Sequence, residues 1–83
     1  MELIEIEMND KRRNKIAKAA SILEAVLNMV ETIHDEEQGC LYNMPENLEY
    51  SERYEKMENA VEKLDDAISS IEEAKDALEE AAE

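Results

Sequence analysis

Apolar side chains recur in the second half of the chain at alternating steps of three and four residues. The positions are Tyr54, Met57, Val61, Leu64, Ile68, Ile71, Lys75, Leu78 and Ala82. Steps of three and four return to the same side of a helix that has about 3.6 residues per turn. The pattern predicts a long helix over residues 51–83 with one face that packs against another helix, and Lys75 is the charged exception on that face.

A second series, almost wholly acidic, accompanies the apolar one at the same steps. Its positions are Glu55, Glu58, Glu62, Asp65, Ser69, Glu72, Asp76, Glu79 and Glu83. At a rise of about 1.5 Å per residue, these side chains follow one another about every 5 Å along the helix axis. Alanines at 60, 67, 74 and 81 flank the apolar series at a spacing of seven, which favours close approach of a neighbouring helix.

The first half of the chain predicts a helix with two apolar stripes. One stripe holds Ile16, Ala20, Leu23, Leu27 and Val30, and the adjoining stripe holds Ala19, Ile22, Val26, Met29 and Ile33. Asn9 or Asp10 can serve as N-cap, so helix one is predicted over about residues 10–42, and residues 1–9 are set apart as an arm, a short strand or extra helix. Gly39 would end the helix near Gln38, but Leu41 continues the first stripe, which favours the longer helix.

Helix one has a wider apolar surface than a single neighbouring helix covers. The turn is predicted over residues 43–50, with Ser51 as N-cap of helix two and with Met44 and Leu48 closing the end of the bundle. Two helices of matched length predict an all-α, antiparallel helical hairpin. The second stripe of helix one, represented by Ile22, Val26, Met29 and Ile33, predicts a homodimer that forms a four-helix bundle with helix one nearer the dimer axis.

Composition supports a single small helical unit. The chain has 83 residues, one glycine, one proline, 39% charged residues and a formal net charge of −14. Because the apolar residues are periodic, they argue against disorder, and no apolar run approaches the roughly 20 residues that a membrane span needs. No leader segment is recognisable, so a cytoplasmic location is expected. A surface this acidic should repel nucleic acid and attract a basic protein.

The basic residues are clustered near the start of helix one. Lys11, Arg12, Arg13, Lys15 and Lys18 fall within eight positions. An antiparallel hairpin would lay them beside Glu79, Glu80 and Glu83, which predicts mutual neutralisation of charge at that end. A phosphate-binding site or a site for an acidic partner is the alternative.

Catalytic chemistry has little support in the sequence. Glycine-rich phosphate loops and cysteine pairs for zinc are missing, so no catalytic residue, cofactor or metal is expected. Glu31 and His34 have the Glu-x-x-His spacing of di-metal bundles, but the second helix offers no inward glutamate, and His34 is expected at the edge of the packing seam. Cys40, the single cysteine, is expected to be an apolar filler near the turn.

Several segments carry a resemblance to known proteins. They are Asp35-Glu36-Glu37-Gln38, Tyr42-Asn43-Met44-Pro45-Glu46-Asn47-Leu48, Ser51-Glu52-Arg53-Tyr54 and the Leu64-x-x-Ala67-Ile68 heptads. Together they resemble a group of small acidic helical proteins found in phages and prophages of Gram-positive bacteria, although Gly39 and Cys40 depart from that pattern. The resemblance implies a phage origin and a place in the host cytoplasm. By analogy with small acidic phage proteins, it suggests an inhibitor of the anti-CRISPR or anti-restriction type.

Three functions remain open from the sequence. The first is a DNA mimic whose acidic face, formed by Glu55, Glu58, Glu62, Asp65, Glu72, Asp76 and Glu79, occupies the basic site of a host nucleic-acid-binding protein or nuclease. The second is a homo-oligomeric structural or assembly module whose carboxylates only confer solubility. The third is a nucleotide-binding sponge that uses the basic cluster.

Overall fold

The chain folds into an antiparallel helical hairpin, as the sequence predicted. The structure, a computed structural model, describes residues 2–45 and 51–83, with side chains from residue 10 onward. Helix α1 spans Glu2–Tyr42 and helix α2 spans Glu52–Ala81, and the two helices pack against each other. The described part of the chain contains no strand, and its principal extents are 70 × 14 × 14 Å.

One seam of side chains holds the two helices together. Ala20, Leu27 and Val61 are its buried apolar members. The remaining residues of the first stripe of α1 and all other members of the apolar series of α2 are half-buried. Burying a whole Val or Leu side chain contributes about 1.5–3 kcal/mol, so these partly exposed residues contribute less each. The hairpin therefore has a thin core. It is formed by the first stripe of α1 and the apolar series of α2, as the sequence predicted.

Two polar contacts between the helices fix their register. The Nζ atom of Lys75 lies 2.7 Å from Oε2 of Glu24, and Nε2 of His34 lies 2.9 Å from Oδ1 of Asp65. A step forward along α1 from Glu24 to His34 thus corresponds to an equal step backward along α2, as a nearly parallel pair of axes requires. The register therefore places Glu83 level with Ile16, and the part of α1 before Ile16 extends past that level.

Helix α1 continues through Gly39, which confirms the longer of the two predicted helices. The amide of Asn43 donates to the carbonyl of Gly39 at 3.1 Å, and that of Met44 donates to Leu41 at 3.2 Å. Pro45 follows directly, and the residue before a proline is disfavoured in helical conformation. The helix therefore ends where the backbone requires it, and Met44 is half-buried at that end. Leu48, expected beside it, lies outside the described residues.

Ser51 caps α2 as predicted. Its side chain accepts a hydrogen bond from the backbone N–H of Tyr54 at 3.2 Å, and its backbone is extended. Glu52 and Glu55 in the first turn add favourable charge near the positive end of the helix dipole. The start of α2 is thus specified by its own first residues.

The first helix begins earlier than the sequence suggested. Its first residue is Glu2, whereas the cap signals at Asn9 and Asp10 placed the start at about residue 10 and set residues 1–9 apart as an arm, a short strand or extra helix. The segment from Glu2 to Met8 is made of Glu, Leu, Ile and Met, which carry little or no penalty in a helix. A cap residue inside such a stretch does not start a new helix.

Within the described residues, neither helix contains a stretch that is both long and apolar enough to span a bilayer.

Gly39 gives a direct test of the continuous helix. A Cβ atom placed there meets no other atom within 4 Å. Because glycine in a helix interior costs about 0.5–1 kcal/mol relative to alanine, Gly39→Ala should raise the free energy of unfolding by about that amount. Urea unfolding followed by circular dichroism measures it. Gly39→Val is the control and should gain less, because a β-branched side chain loses rotamer freedom in a helix. A loss of stability in Gly39→Ala would contradict an uninterrupted α1.

Candidate protein-binding faces

The acidic series of α2 lies on the outside of the hairpin. All nine of its positions, including Ser69, are exposed, whereas the adjacent apolar series is turned toward α1. Among the predicted partner-binding residues, Asp65 is contacted by His34 and Glu79 lies 3.5 Å from Lys75. The other five predicted carboxylates have no ion-pair partner among the described side chains and are available to another molecule. They are Glu55, Glu58, Glu62, Glu72 and Asp76.

Helix α1 adds carboxylates to the same side. Ala17, Glu24, Lys75 and Glu79 line one open groove, so the row of α1 that contains Glu24 lies next to the row of α2 that contains Glu79. Glu31 follows Glu24 at a spacing of seven and is exposed. We refer to these carboxylates, Glu24, Glu31, Glu55, Glu58, Glu62, Asp65, Glu72, Asp76 and Glu79, as the acidic face.

Lys75 is the positive charge at the inner edge of the acidic face. It occupies a seam position, yet its ammonium reaches both Glu24 and Glu79. The hydrogen bond with Glu24, helped by the negative charges of Glu24 and Glu79 and opposed by desolvation, raises the pKa of Lys75 above its ordinary value of 10.5. A long flexible side chain allows this residue to pack its stem in the seam while its charge stays among the carboxylates.

His34 lies at the edge of the seam, as predicted. Its side chain is 12% exposed, with Nδ1 lying 3.2 Å from Oδ1 of Asp35 and Nε2 close to Asp65 on the other helix. Glu31, the other half of the Glu-x-x-His pair, is exposed. In the part of the chain with described side chains, no three metal-ligating groups converge. The arrangement is that of a histidine linking two helices.

The second stripe of α1 faces away from α2 and into solvent. Ile22 is 56% exposed, Val26 37%, Met29 64% and Ile33 48%. These are the residues that the sequence assigned to a dimer seam, and the hairpin alone leaves them uncovered. The two stripes of α1 are offset by one residue and so are separated by about 100° around the helix. A helix at the corner of a four-helix bundle has two contact faces at about this angle.

The alanines of α2 lie on the same side of the hairpin as this second stripe. Near the turn, Cys40 and Arg53 line a common groove, and at the open end Arg12 and Ala81 line a common depression. Arg12 and Cys40 belong to the heptad row of α1 that includes Val26. Arg53 and Ala81 belong to the heptad row of alanines, so the two rows run side by side.

Cys40 was expected to fill apolar space near the turn, and that expectation is wrong for the single hairpin. Its side chain is exposed, because it belongs to the second stripe of α1 and not to the seam with α2. The residue next to it, Leu41, takes the seam position and is half-buried.

We refer to the side that carries the second stripe and the alanines as the apolar face. It is formed by Ala19, Ile22, Val26, Met29 and Ile33 of α1 with Ala60, Ala67, Ala74, Ala77 and Ala81 of α2. It lies opposite the acidic face, because the groove that contains Glu24 and Glu79 and the depressions that contain the alanine row border different sides of the seam. The hairpin is therefore two-sided.

The basic cluster is only partly beside α2. Arg12, Arg13 and Glu83 line the same depression at the open end. No ion pair joins the cluster to α2 within the described side chains, and Arg13 instead approaches Asp10, at 3.8 Å. Of the predicted neutralisation by Glu79, Glu80 and Glu83, only the proximity of Glu83 to Arg12 and Arg13 is found, because the register places all five basic residues beyond Glu79 and Glu80.

The sequence alone did not show on which side of the hairpin the alanine row, the second stripe of α1 and the acidic series lie. It placed the alanines next to the seam but did not join them to Ile22 and Met29, and it did not identify Glu24 as a partner of Lys75. The signal was present in the heptad positions, because corresponding flanks of two antiparallel helices face each other across a seam. Using that rule would have paired the alanine row with the row of Val26 and Ile33.

Comparison with known proteins adds no relative: no protein family, curated protein or solved structure matches this chain. The resemblance to small acidic phage proteins therefore stays a prediction, and the function has to be inferred from the residues of this chain.

The contacts of Lys75 predict a dependence of stability on alkaline pH. Since its pKa is raised in the folded state, its contribution is fully present below pH 10.5 and is lost as pH rises through the higher folded value. Urea unfolding of wild type and Lys75→Met between about pH 8 and about pH 12 measures this, and the stability of wild type relative to the variant should fall over that range.

Glu24→Gln serves as the control, because it removes the main cause of the raised pKa while keeping the lysine. Its stability should depend on alkaline pH less steeply than that of wild type. Every other titratable group is common to all three proteins or to two of them, so its contribution cancels to a first approximation in the differences. A constant difference between wild type and Lys75→Met would show that Lys75 acts through packing alone.

Proposed function

We propose that this protein binds a basic protein surface through its acidic face and, as a DNA mimic, inhibits a nucleic-acid-binding protein or nuclease of a host bacterium. The observation that carries the proposal is the separation of charge in the folded hairpin. One side gathers carboxylates from both helices, and among the described residues Lys75 is the one basic side chain at its edge.

The distribution of bases supports a binding role over solubility alone. A surface helix that only needs to be soluble gains stability from lysines placed three or four residues from glutamates. Here Lys56 pairs with Glu52 at 3.8 Å, away from the acidic face, and Arg53 and Lys63 also lie outside it. Leaving a row of carboxylates without such partners costs self-repulsion, which a basic partner would relieve.

The spacing of the carboxylates suits a groove that binds a nucleic acid backbone. They follow one another about every 5 Å along α2, whereas each strand of a DNA duplex carries a phosphate about every 3.4 Å of axis. The acidic face is thus somewhat less dense in charge than one DNA strand, and its carboxylates on α2 follow a single helix that packs against α1. A net charge of −14 adds long-range attraction to a channel lined by lysine and arginine.

The inhibitory role itself is taken from the resemblance to phage proteins. A protein that fills the basic channel of a nuclease excludes its substrate without any catalytic group, which agrees with the expectation of a non-enzymatic chain. The anti-CRISPR or anti-restriction type of inhibitor is the form of this proposal that the resemblance suggests.

A structural module is the second candidate, and a different observation favours it. The exposed stripe of Ile22, Val26, Met29 and Ile33 is typical of an assembly surface, because isolated exposed apolar residues are common but a continuous row of them is not. In that case the acidic face would only keep the assembly soluble. The two candidates differ in whether neutralising the acidic face changes binding.

The proposal predicts that carboxylates of the acidic face act together in binding. A variant with Glu62→Gln, Glu72→Gln and Asp76→Asn should keep its helix content, since these side chains are exposed and have no ion-pair partner within the described residues. Captured from a bacterial lysate at low salt, a basic nucleic-acid-binding partner should be retained by wild type and lost by the variant. Added salt or duplex DNA should release it from wild type.

A matched control carries the same loss of charge on the neighbouring row of α2. Asp66→Asn, Glu73→Gln and Glu80→Gln together remove two glutamates and one aspartate, as the first variant does, and all three side chains are exposed. This control variant should retain more of the partner than the first variant does. If both variants bind as tightly as wild type at low ionic strength, the acidic face is a solvated surface and the structural module becomes the better proposal.

A further inference from the structure

The two halves of the apolar face differ in side-chain size. The α1 half presents large residues, among them Ile22, Val26 and Met29, whereas the α2 half presents alanines such as Ala67 and Ala74. The large residues of α1 form a ridge, and the alanines of α2 form a flat strip beside it. Two copies of this face are therefore complementary when the ridge of each copy packs on the strip of the other. Packing of large against small side chains also brings helix axes close together.

We propose that the apolar face binds a second copy of this chain, with α1 of each copy packed along α2 of the other and both turns at the same end. The two-fold axis then runs parallel to the helices between the two hairpins. Helices α1 and α2 lie about equally far from that axis, whereas the sequence pattern predicted helix one nearer to it. This inference does not depend on the acidic face binding anything, because it uses the opposite side of the hairpin.

Such an axis permits no sliding of one copy along the other. A rotation about an axis parallel to the helices leaves every residue at its own level, so the register within one hairpin also sets the register between hairpins. The contacts between Glu24 and Lys75 and between His34 and Asp65 thus determine which residues of two copies meet.

Four of the resulting matches place a large side chain against a small one, whereas at the two ends of the face, Ala19 with Ala81 and Cys40 with Ala60, both side chains are small. They follow from the register alone, and that register comes from contacts made elsewhere, within each hairpin. The matched pairs, each within about one residue of level given the rise of about 1.5 Å per residue, are Val26 with Ala74 of the second copy, Ile33 with Ala67, Cys40 with Ala60, Ile22 with Ala77 and Met29 with Ser70.

Charge also agrees with this arrangement. Glu36 is the one acidic residue in the second stripe of α1 as it continues toward the turn, and the register places it level with Lys63 of the second copy, on the same outer edge. Both side chains are exposed in the single hairpin and free to pair. The acidic faces of the two copies point in opposite directions, which keeps their carboxylates apart.

The face is large enough for a modest dimer. From Ala19 to Cys40 it extends about 32 Å, and two helices of about 10 Å diameter make it about 20 Å wide. The footprint is therefore on the order of 600 Å² per copy, somewhat below the roughly 800 Å² per partner of a typical stable interface. A dimer in the micromolar range is expected.

The alternative two-fold axis, perpendicular to the helices, would place α1 against α1 and α2 against α2. Large residues would then meet large ones on one side while alanines met alanines on the other, so the two helix pairs would need unequal separations. With that axis at the centre of the face, between Met29 and Val30, Glu36 would lie level with Leu23 of the second copy instead of Lys63. The axis parallel to the helices places large side chains against small ones and Glu36 beside Lys63, whereas the perpendicular axis does neither.

The mass of the protein in solution is the first test. Light scattering at concentrations well above the micromolar range should give twice the mass of the chain for wild type, and both Ile22→Glu and Ala74→Leu should halve it while helix content is retained, because both side chains are exposed in a single hairpin. Ser69→Leu adds a leucine to the opposite side of α2 and should leave the dimer intact. A monomeric wild type overturns the proposal, and so does an Ala74→Leu protein that stays dimeric, since α2 would then lie outside the interface.

Cross-linking between two variants tests the pairing of α1 with α2. In a Cys40→Ser background, Glu36→Cys is made in one protein and Lys63→Cys in another, and the two are mixed with a short bifunctional thiol reagent. A covalent heterodimer should form from the mixture and from neither variant alone. Asp66→Cys, on the far side of α2, replaces Lys63→Cys as the control and should give no product. A dimeric protein without the 36–63 link, or with an equal link to position 66, overturns this arrangement.

Discussion

Burial of one heptad seam between α1 and α2 is the interaction on which the surface of this protein depends, because it fixes the rotation of each helix about its own axis. Once Leu27 and Val61 point inward, every other row of side chains has a determined direction. The flank with Glu24 and Glu79 turns to one side, and the flank with Val26 and the heptad alanines turns to the other. The two-sided character is therefore a consequence of the seam and of the residues placed beside it. A pair of helices cannot bury much more than this common seam, so the exposed stripe of α1 is apolar area that a single hairpin has no means of covering.

The fold was predictable because its signals are local and repeated. Alternating steps of three and four, the cap at Ser51 and the proline at 45 each specify the same two helices, and the structure agrees with them. The start of α1 was not predictable in this way, since Asn9 and Asp10 are cap-forming residues placed within a segment that also favours helix. The interhelical contacts of Glu24 and His34 depend on a register that neither helix encodes alone.

The relative position of the two faces likewise depends on the pairing of the helices, which neither helix encodes alone. The acidic residues and the second stripe of α1 were identified from sequence, and the structure leaves both exposed, but their position on opposite sides follows only when the helices are paired. The alanine row and the large stripe belong to different helices, so their adjacency is a tertiary property. The proposed inhibitory function has no local signature in the sequence, because an exposed carboxylate looks the same whether it only confers solubility or binds a partner.

Opposite placement of the faces makes the proposed self-association compatible with a charge of −14 on each copy. If the acidic side met its own copy, carboxylates would face one another across a few ångströms of low-dielectric interface, where like charges repel strongly. When the apolar sides meet, the two acidic faces lie on the outer surfaces of a bundle about 20 Å thick, more than twice the Debye length of about 8 Å at physiological salt. Their mutual repulsion is then largely screened, while each face stays available to the proposed basic partner. Because the charge is segregated to one flank of the seam, the proposed dimer and the proposed binding of a basic protein use different sides of the hairpin and are compatible.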